Sequence, residues 1–436
     1  MKTRLQFIFL MFAVTLIGAC GGGGGGSSTP PATTNPPPVT PPPAAQSSSG
    51  SMGVATFKDP STGNTVTKAY IPIGTTISVV TLASVPASAA TLASGAVEPK
   101  LAALSVAPPV QAITVANNMD ACALDATTLK GVCISYTNSN IIVVDIVANT
   151  VLQTIDTKVS ASAGFSGGSC IVCGVLIDYQ RGKVALTVQT GYMTYDLNNL
   201  AAPPVSILTE PSENFTMDVP NNRIISPSYG VHGPKLQIIK LDTNEIFNYA
   251  GTLPFTEPDG ASVDPATGIL LVTDEVSANF ELFNLNEATF DATAKTFTAP
   301  SLHFAAGLSV PRMSGSAIEL VSHIAVLEQE IAGQSVSIAL LPTTAVTGAP
   351  PSPTFHWGKM PNRPDGRVFG NSGDPHGIAV LADSVNGNPF GFVITFDKKY
   401  LAKLDLTAFK NATAVAATTT GEVNLSTGVV EYIQLF

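Results

Sequence analysis

The chain has 436 residues, of which 12% are charged and 45% hydrophobic, and its 37 glycines and 33 prolines suit many short strands joined by turns rather than a long helical bundle. Asp and Glu number 31 against 21 Lys and Arg, a formal net charge of -10, and no basic run occurs beyond the first few residues, so nucleic acid and anionic membrane surfaces are excluded as charge-driven partners. Length alone decides little, because repeat folds use this many residues for one domain where other folds would form several.

Residues 1–19 read as an export signal. Lys2 and Arg4 supply the positive start, and Leu5 to Ile17 is an apolar core too short to span a membrane. The next residues, Ile17-Gly18-Ala19-Cys20, resemble the lipobox of bacterial lipoproteins. That resemblance implies a mature chain beginning at Cys20, whose thiol carries diacylglycerol and anchors the protein to a lipid membrane. Gly21 stands where an Asp would favour inner-membrane retention, which implies an outer-membrane address if the cell is Gram-negative. Residues 20–50 continue with six glycines and a Ser, Thr and Pro tract that cannot bury a core. This composition predicts a disordered tether, able to hold the folded body roughly 30 to 90 Å from the lipid.

In residues 51–108, strands are predicted at Val54 to Phe57, Thr65 to Ile71 and Thr76 to Leu82, around the turn Asp59-Pro60-Ser61-Thr62-Gly63-Asn64. An Ala-rich, nearly uncharged run follows from Ser84 to Ala107. The segment is either a small β module or the source of a strand that completes the domain downstream.

From residue 109 to 436 one pattern recurs: a short apolar strand, an acidic residue, a polar turn and a second strand. The acidic positions are Asp125, Asp178, Asp218, Asp264 and Glu319, and the clearest copy is Thr256 to Glu275, TEPDGASVDPATGILLVTDE. There Asp264-Pro265-Ala266-Thr267-Gly268 is turn chemistry between Gly260 to Val263 and the β-branched Ile269 to Thr273. A sixth unit starts at Pro375, where His376 to Val380 aligns with Asp259 to Val263, and third strands follow in each unit, from Ile141 to Ile146 through Leu401 to Leu406. Hairpins repeated at intervals of about 40 to 60 residues cannot bury their faces singly and point to a radial or stacked array. NIIVVDIVANTVLQTIDT at Asn140 to Thr157 and DPHGIAV at Asp374 to Val380 resemble the β-propellers of the YVTN, NHL and WD40-like group, although the WD dipeptide is absent and the spacings are irregular. The resemblance implies an all-β propeller: six blades by the acidic positions, or seven if Gly421 to Phe436 and residues 52–108 complete another. Val429 to Phe436 is expected to pair with a strand from nearer the N-terminal end and seal the ring.

In such propellers the residues just before each blade's first strand ring the mouth of a central channel, which assigns Asp120, Glu213 and Arg312 to that mouth. Glu257, Asp259, Asp374 and His376 fall there too. Together they could hold a hard divalent cation such as calcium, or position a water for hydrolysis as in lactonase-like propellers; equally, they could satisfy backbone groups at a solvated rim. Beyond Cys20, Cys122, Cys133, Cys170 and Cys173 favour disulfides in an exported chain. Cys122 and Cys133 lie equidistant from their turn and should face one another. Cys170-Ile171-Val172-Cys173 is a CxxC motif in which Cys170 and Cys173 are expected to pair as a structural loop, with redox chemistry or a zinc half-site as the alternatives and Gly174 excluding haem attachment.

The GxSxG string Gly164 to Gly168 lacks the strand-turn-helix context of a hydrolase nucleophile. His232 reads as a turn residue, His303 and His323 as strand residues, and His356 beside Trp357 as structural. The stretch Pro350 to Gly373, with Arg363 and Arg367, reads as a long loop and a candidate binding surface. With no nucleotide loop, zincin motif or catalytic triad, the pattern favours a binding or scaffold module for an envelope protein or small ligand. The alternative is a metal-dependent hydrolase.

Overall fold

The computed structural model describes residues 48–50, 52–85, 110–159, 171–210, 212, 214–228, 233–277, 279–305, 313–329, 335–369, 377–382, 387–395, 397–410, 422–424 and 430–435. All of them belong to one compact unit, Pro42–Phe436, and the other unit, Met1–Pro41, lies outside them.

Their strands form seven sheets, here called blades 1 to 7 in chain order. The first strands, Gly53–Lys58, Ala121–Asp125, Val172–Asp178, Thr216–Asp218, Pro258–Asp264, Met313–Glu319 and Gly377–Ala382, touch one another in succession and surround the axis. Each is followed outward by antiparallel neighbours; in blade 5 these are Ile269–Asp274, Asn279–Asn284 and Ser301–Ala305. Blade 1 is built from Gly53–Lys58 and Thr65–Val85 together with Val110–Met119. Its long strand Thr65–Val85 pairs through Thr65 to Tyr70 with the first strand and through Thr76 to Val80 with the last, with an exposed Gly74 at φ 61° between.

The core is divided among the seven interfaces between blades. In the second strand of blade 5, Ile269 and Leu271 join Ile318, Ala325 and Leu327 of blade 6, while Leu270 and Val272 join Ile225, Leu236 and Ile238 of blade 4. The same alternation places Ile378 and Val380 against blade 6 and Ala379 and Leu381 against blade 1. A strand between two sheets must be apolar on both faces, which is why these segments read as continuous apolar runs rather than alternating ones. Each such side chain stabilises the ring by about 1.5–3 kcal/mol on full burial.

Three short segments extend the blades. The hairpin Thr289–Asp291 and Thr296–Thr298, which leaves blade 5, adds to the outer strand Glu245–Tyr249 of blade 4, pairing in parallel at Asn248 with Thr296. Glu422–Asn424, which leaves blade 7, adds in parallel to the outer strand Thr354–Lys359 of blade 6. Ser48–Gly50 adds antiparallel to the axial edge of Gly377–Ala382 in blade 7.

The seam differs from the expectation. The C-terminal strand Val430–Gln434 does not pair with an N-terminal one; it lies against Tyr400–Leu404 as the regular outer strand of blade 7. On that outer edge Ile433 and Leu435 are buried in the core shared with blade 1. Backbone pairing with the N-terminal end comes instead from Ser48–Gly50, on the opposite edge of the sheet.

Candidate functional site

Every first strand runs from one rim of the ring to the other, and the two rims use polar residues differently. At the strand ends, Asp125, Asp178, Asp218, Asp264 and Glu319 are all buried to 0–1% exposure. Each takes up donors of the turn that follows: Asp264 Oδ1 accepts the Ala266 N–H at 3.0 Å and Oδ2 the Thr267 hydroxyl at 2.7 Å, and Glu319 accepts from Val321 and Ser322. The turn closes on a left-handed residue, Leu129, Gly182, Asn222, Gly268 or His323, immediately before the second strand. At Gly268 (φ 75°) a Cβ would also fall 2.3 Å from the Asn286 side chain, so here the left-handed turn favours glycine and any side chain would displace Asn286.

This turn rim also ties neighbouring blades together. Lys68 Nζ donates to the carbonyls of Ile146 and Val147, Lys130 Nζ to Leu197 O, and Arg181 Nη1 to Val219 O at 2.9 Å. His323 Nδ1 meets Asp264 Oδ2 at 2.6 Å, and this hydrogen bond holds the imidazole pKa above its ordinary value against the opposing effect of burial. His323 is therefore a turn residue at φ 57°, not a strand residue as its flanking apolar sequence suggests. His303 does lie in a strand, Ser301–Ala305, 3.2 Å from Glu281.

The opposite rim carries the residues singled out for chemistry. Asp259 is 3% exposed, and its Oδ2 accepts from Asn214 Nδ2 of blade 4 at 2.8 Å. Glu257 is half-buried; its N–H donates to Asp274 Oδ1 at 3.0 Å and its carbonyl accepts from the Glu275 N–H. The Asp120 carboxylate accepts the Tyr136 N–H at 2.7 Å. Asp374 and His376, the other two residues of the candidate metal set, lie outside the described residues, as do Glu213 and Arg312 of the expected mouth. Among the described residues no group of three or more His, Cys, Asp or Glu side chains is placed to hold a metal ion. Neighbouring first strands approach one another closely. A Cβ on Gly53 would lie 2.8 Å from Cys122 O, and Ser262 and Ser316 hydroxyls meet at 2.8 Å between blades 5 and 6.

Sequence reasoning missed a second cluster on this rim. The Arg363 side chain is 1% exposed, donates from Nε to Asp365 and from Nη1 to Asp397 Oδ1 at 3.0 Å, and lies over the Tyr400 ring at 5.2 Å. Hydrogen bonds from Arg363 hold the Asp365 carboxyl down at about 2. Beside them Lys398 Nζ reaches the Asp120 carbonyl at 3.2 Å; burial pushes its pKa down, opposed by the Asp120 charge. The signal available in sequence was the charged triplet Asp397-Lys398-Lys399 between two strand patterns. Arg363 thus pins the stretch 361–369 to blade 7, and the exposed cations are Arg367 and Lys399. The stretch Pro350 to Gly373 is not one long loop: Thr354–Lys359 within it is the outer strand of blade 6, paired with Ser335–Leu340. His356 of that strand is 2% exposed against Phe409, with neither ring nitrogen hydrogen-bonded among the described residues, and burial depresses its pKa.

Cys122 and Cys133 are directly paired across two strands and joined by a disulfide. Cys173 is also disulfide-bonded; Cys170, Cys20, His232 and the Gly164 to Gly168 string lie outside the described residues. Of the large apolar residues exposed to solvent among the described residues, Val321 (59%) lies in the turn of blade 6, and the other four lie elsewhere: Val151 (40%) and Leu152 (50%) on the outer strand Thr150–Asp156 of blade 2, and Val205 (48%) and Leu208 (75%) on the outer strand Val205–Leu208 of blade 3. Sequence shows these as strand residues but cannot show that the strand lies at an edge.

No family model matches the sequence, and no curated protein does. Among solved structures, a chain of a mitotic checkpoint complex is similar with a TM-score of 0.49 and 9% identity, over 76% of this chain and 85% of that one. The propeller domain of Cps50 (Swd1) from Myceliophteria thermophila gives 0.43 and 9%, over 65% and 82%. The assignment of fold rests on the sheets themselves: seven antiparallel blades, each packed face to face on two neighbours around one axis, make this chain an all-β, seven-bladed β-propeller.

Proposed function

We propose that the chain is an exported, lipid-anchored propeller of the cell envelope that serves as a binding module for another protein. The lipobox-like Ile17 to Cys20 and the Gly, Ser and Pro tether support the address. The observation that carries the binding role is the exposure of Val151, Leu152, Val205 and Leu208 on the outer strands of two adjacent blades. On blades 4 and 6 the same position is covered by the chain's own added strands. Among the described residues, nothing pairs with the outer edges of blades 2 and 3, and an open edge with apolar side chains suits an extended segment of a partner protein added as a further strand.

Photo-crosslinking residues placed at Leu152 and Leu208, with Arg367 and Lys399 as controls, test this in intact cells. A single discrete adduct from the first pair supports the reading, and adducts confined to the second pair overturn it. Cys20→Ala should release the protein from membranes. Elemental analysis after purification without chelator separates binding from metal-assisted hydrolysis: a stoichiometric divalent metal lost on Asp259→Ala would move the function to the rim.

A further inference from the structure

The seam between blades 7 and 1 is built unlike any other. Blade 7 takes its four regular strands from the C-terminal part of the chain, Gly377–Ala382 to Val430–Gln434, and blade 1 takes its own from Gly53 to Met119. Their shared core crosses the seam through Met52, Val54, Ala69 and Ile71 on one side and Ala379, Leu381 and Phe392 on the other. One backbone ladder among the described residues joins the N-terminal end to blade 7, and it lies on the axis: Ser48 opposite Ala379, Ser49 opposite Ile378, Gly50 opposite Gly377. That short strand also touches the first strands of blades 6 and 2, so it occupies the channel.

Direction follows from the register. First strands run from the Asp259 rim toward the turn rim, and Gly377 is at the start of its strand. An antiparallel partner that ends opposite Gly377 rises from the turn side, and after the fully buried Met52 the chain descends as Gly53–Lys58. Two consecutive strands therefore straddle the seam, one hydrogen-bonded into blade 7 and the other into blade 1.

We propose that Ser48–Gly50 is the clasp of the ring: the chain's own backbone fills the channel, and release of this strand opens the seam between blades 7 and 1 while the other interfaces stay closed. Edge pairing of this kind exchanges one set of backbone partners for water when it is released, so it opens locally at a cost below that of global unfolding.

The full chain tests it in two ways. Ser48→Cys with Ala379→Cys places two small thiols on directly opposed residues; in the oxidised, folded protein they should form a disulfide, seen as faster migration on a non-reducing gel. In a separate variant, Ser48→Pro with Ser49→Pro removes the amide donors of both residues, so the ladder loses a donor whichever of the alternating pairs is the hydrogen-bonded one. Hydrogen exchange should then rise about tenfold in 53–58 and 377–382, with the first strands of blades 3 to 5 unchanged. A folded Cys pair that stays reduced under oxidising conditions, or exchange that rises equally in all blades or in none, overturns the clasp.

Discussion

The two ends of the strand Pro258–Asp264 carry the same side chain to opposite purposes. Asp264 is fully buried, accepts from its own turn and from His323 of the next blade, and belongs to a position occupied by an acid in five blades. Asp259, five residues earlier, is tied to Asn214 of the preceding blade, and its counterparts in other blades vary in type, from Asp120 to Cys173. Repetition thus marks the rim that makes the fold, and variation marks the rim free to carry something else.

Substitutions along that strand put the contrast to the test. Asp264→Ala removes an acceptor from two turn donors and an imidazole in a fully buried place, and should cost about 3–5 kcal/mol in denaturant unfolding. If it costs no more than Asp259→Ala, the distinction between the rims fails. Between the rims, opening the Cys122–Cys133 bond with a Cys122→Ala, Cys133→Ala pair should cost about 2–4 kcal/mol. Asp259→Ala should cost about 1–3 kcal/mol, by leaving the Asn214 amide without its acceptor in a buried place.

His323 sharpens the comparison by pH. Its folded pKa is raised, so the stabilisation it adds is complete below its unfolded value near about 6.5 and is lost as pH rises through the folded value. The Tm difference between the native chain and His323→Gln should be larger at pH 6 than at pH 9, and a difference that grows with pH would contradict the Asp264 pairing. Glu257→Ala, on a half-buried residue engaged through its backbone, should change stability by less than about 0.5 kcal/mol.

The turn rim was legible because its chemistry is local: the acid, the two donors it accepts and the left-handed residue all lie within one turn, as Asp264 to Gly268 shows. The Asp259 rim was not, because Asn214 lies 45 residues away and Asp397 lies 34 from Arg363. Thr354–Lys359 was hidden by the prolines before it. Ser48–Gly50 has no apolar alternation at all and is a strand only because the edge of Gly377–Ala382 is there to pair with it. His323 misled for the converse reason, since a left-handed residue directly before a strand shares that strand's apolar neighbours. Of the candidate metal set, the described residues include Glu257 and Asp259 alone.

The strands added to blades 4 and 6 leave from the following blade, and this sets how cooperatively the ring unfolds. The hairpin from blade 5 staples blades 4 and 5, and Glu422–Asn424 staples blades 6 and 7, so neither member of a couple can separate without breaking a backbone ladder. Blades 2 and 3 are joined, among the described residues, by face packing, by the Lys130 tie at the turn rim and by the Ile171 N–H donating to the Tyr136 carbonyl at the other, with no added strand. Among the described residues, blades 4 to 7 are thus coupled in pairs by backbone ladders, and a strand added from outside to the exposed outer edges of blades 2 and 3 would supply a staple of the same kind there.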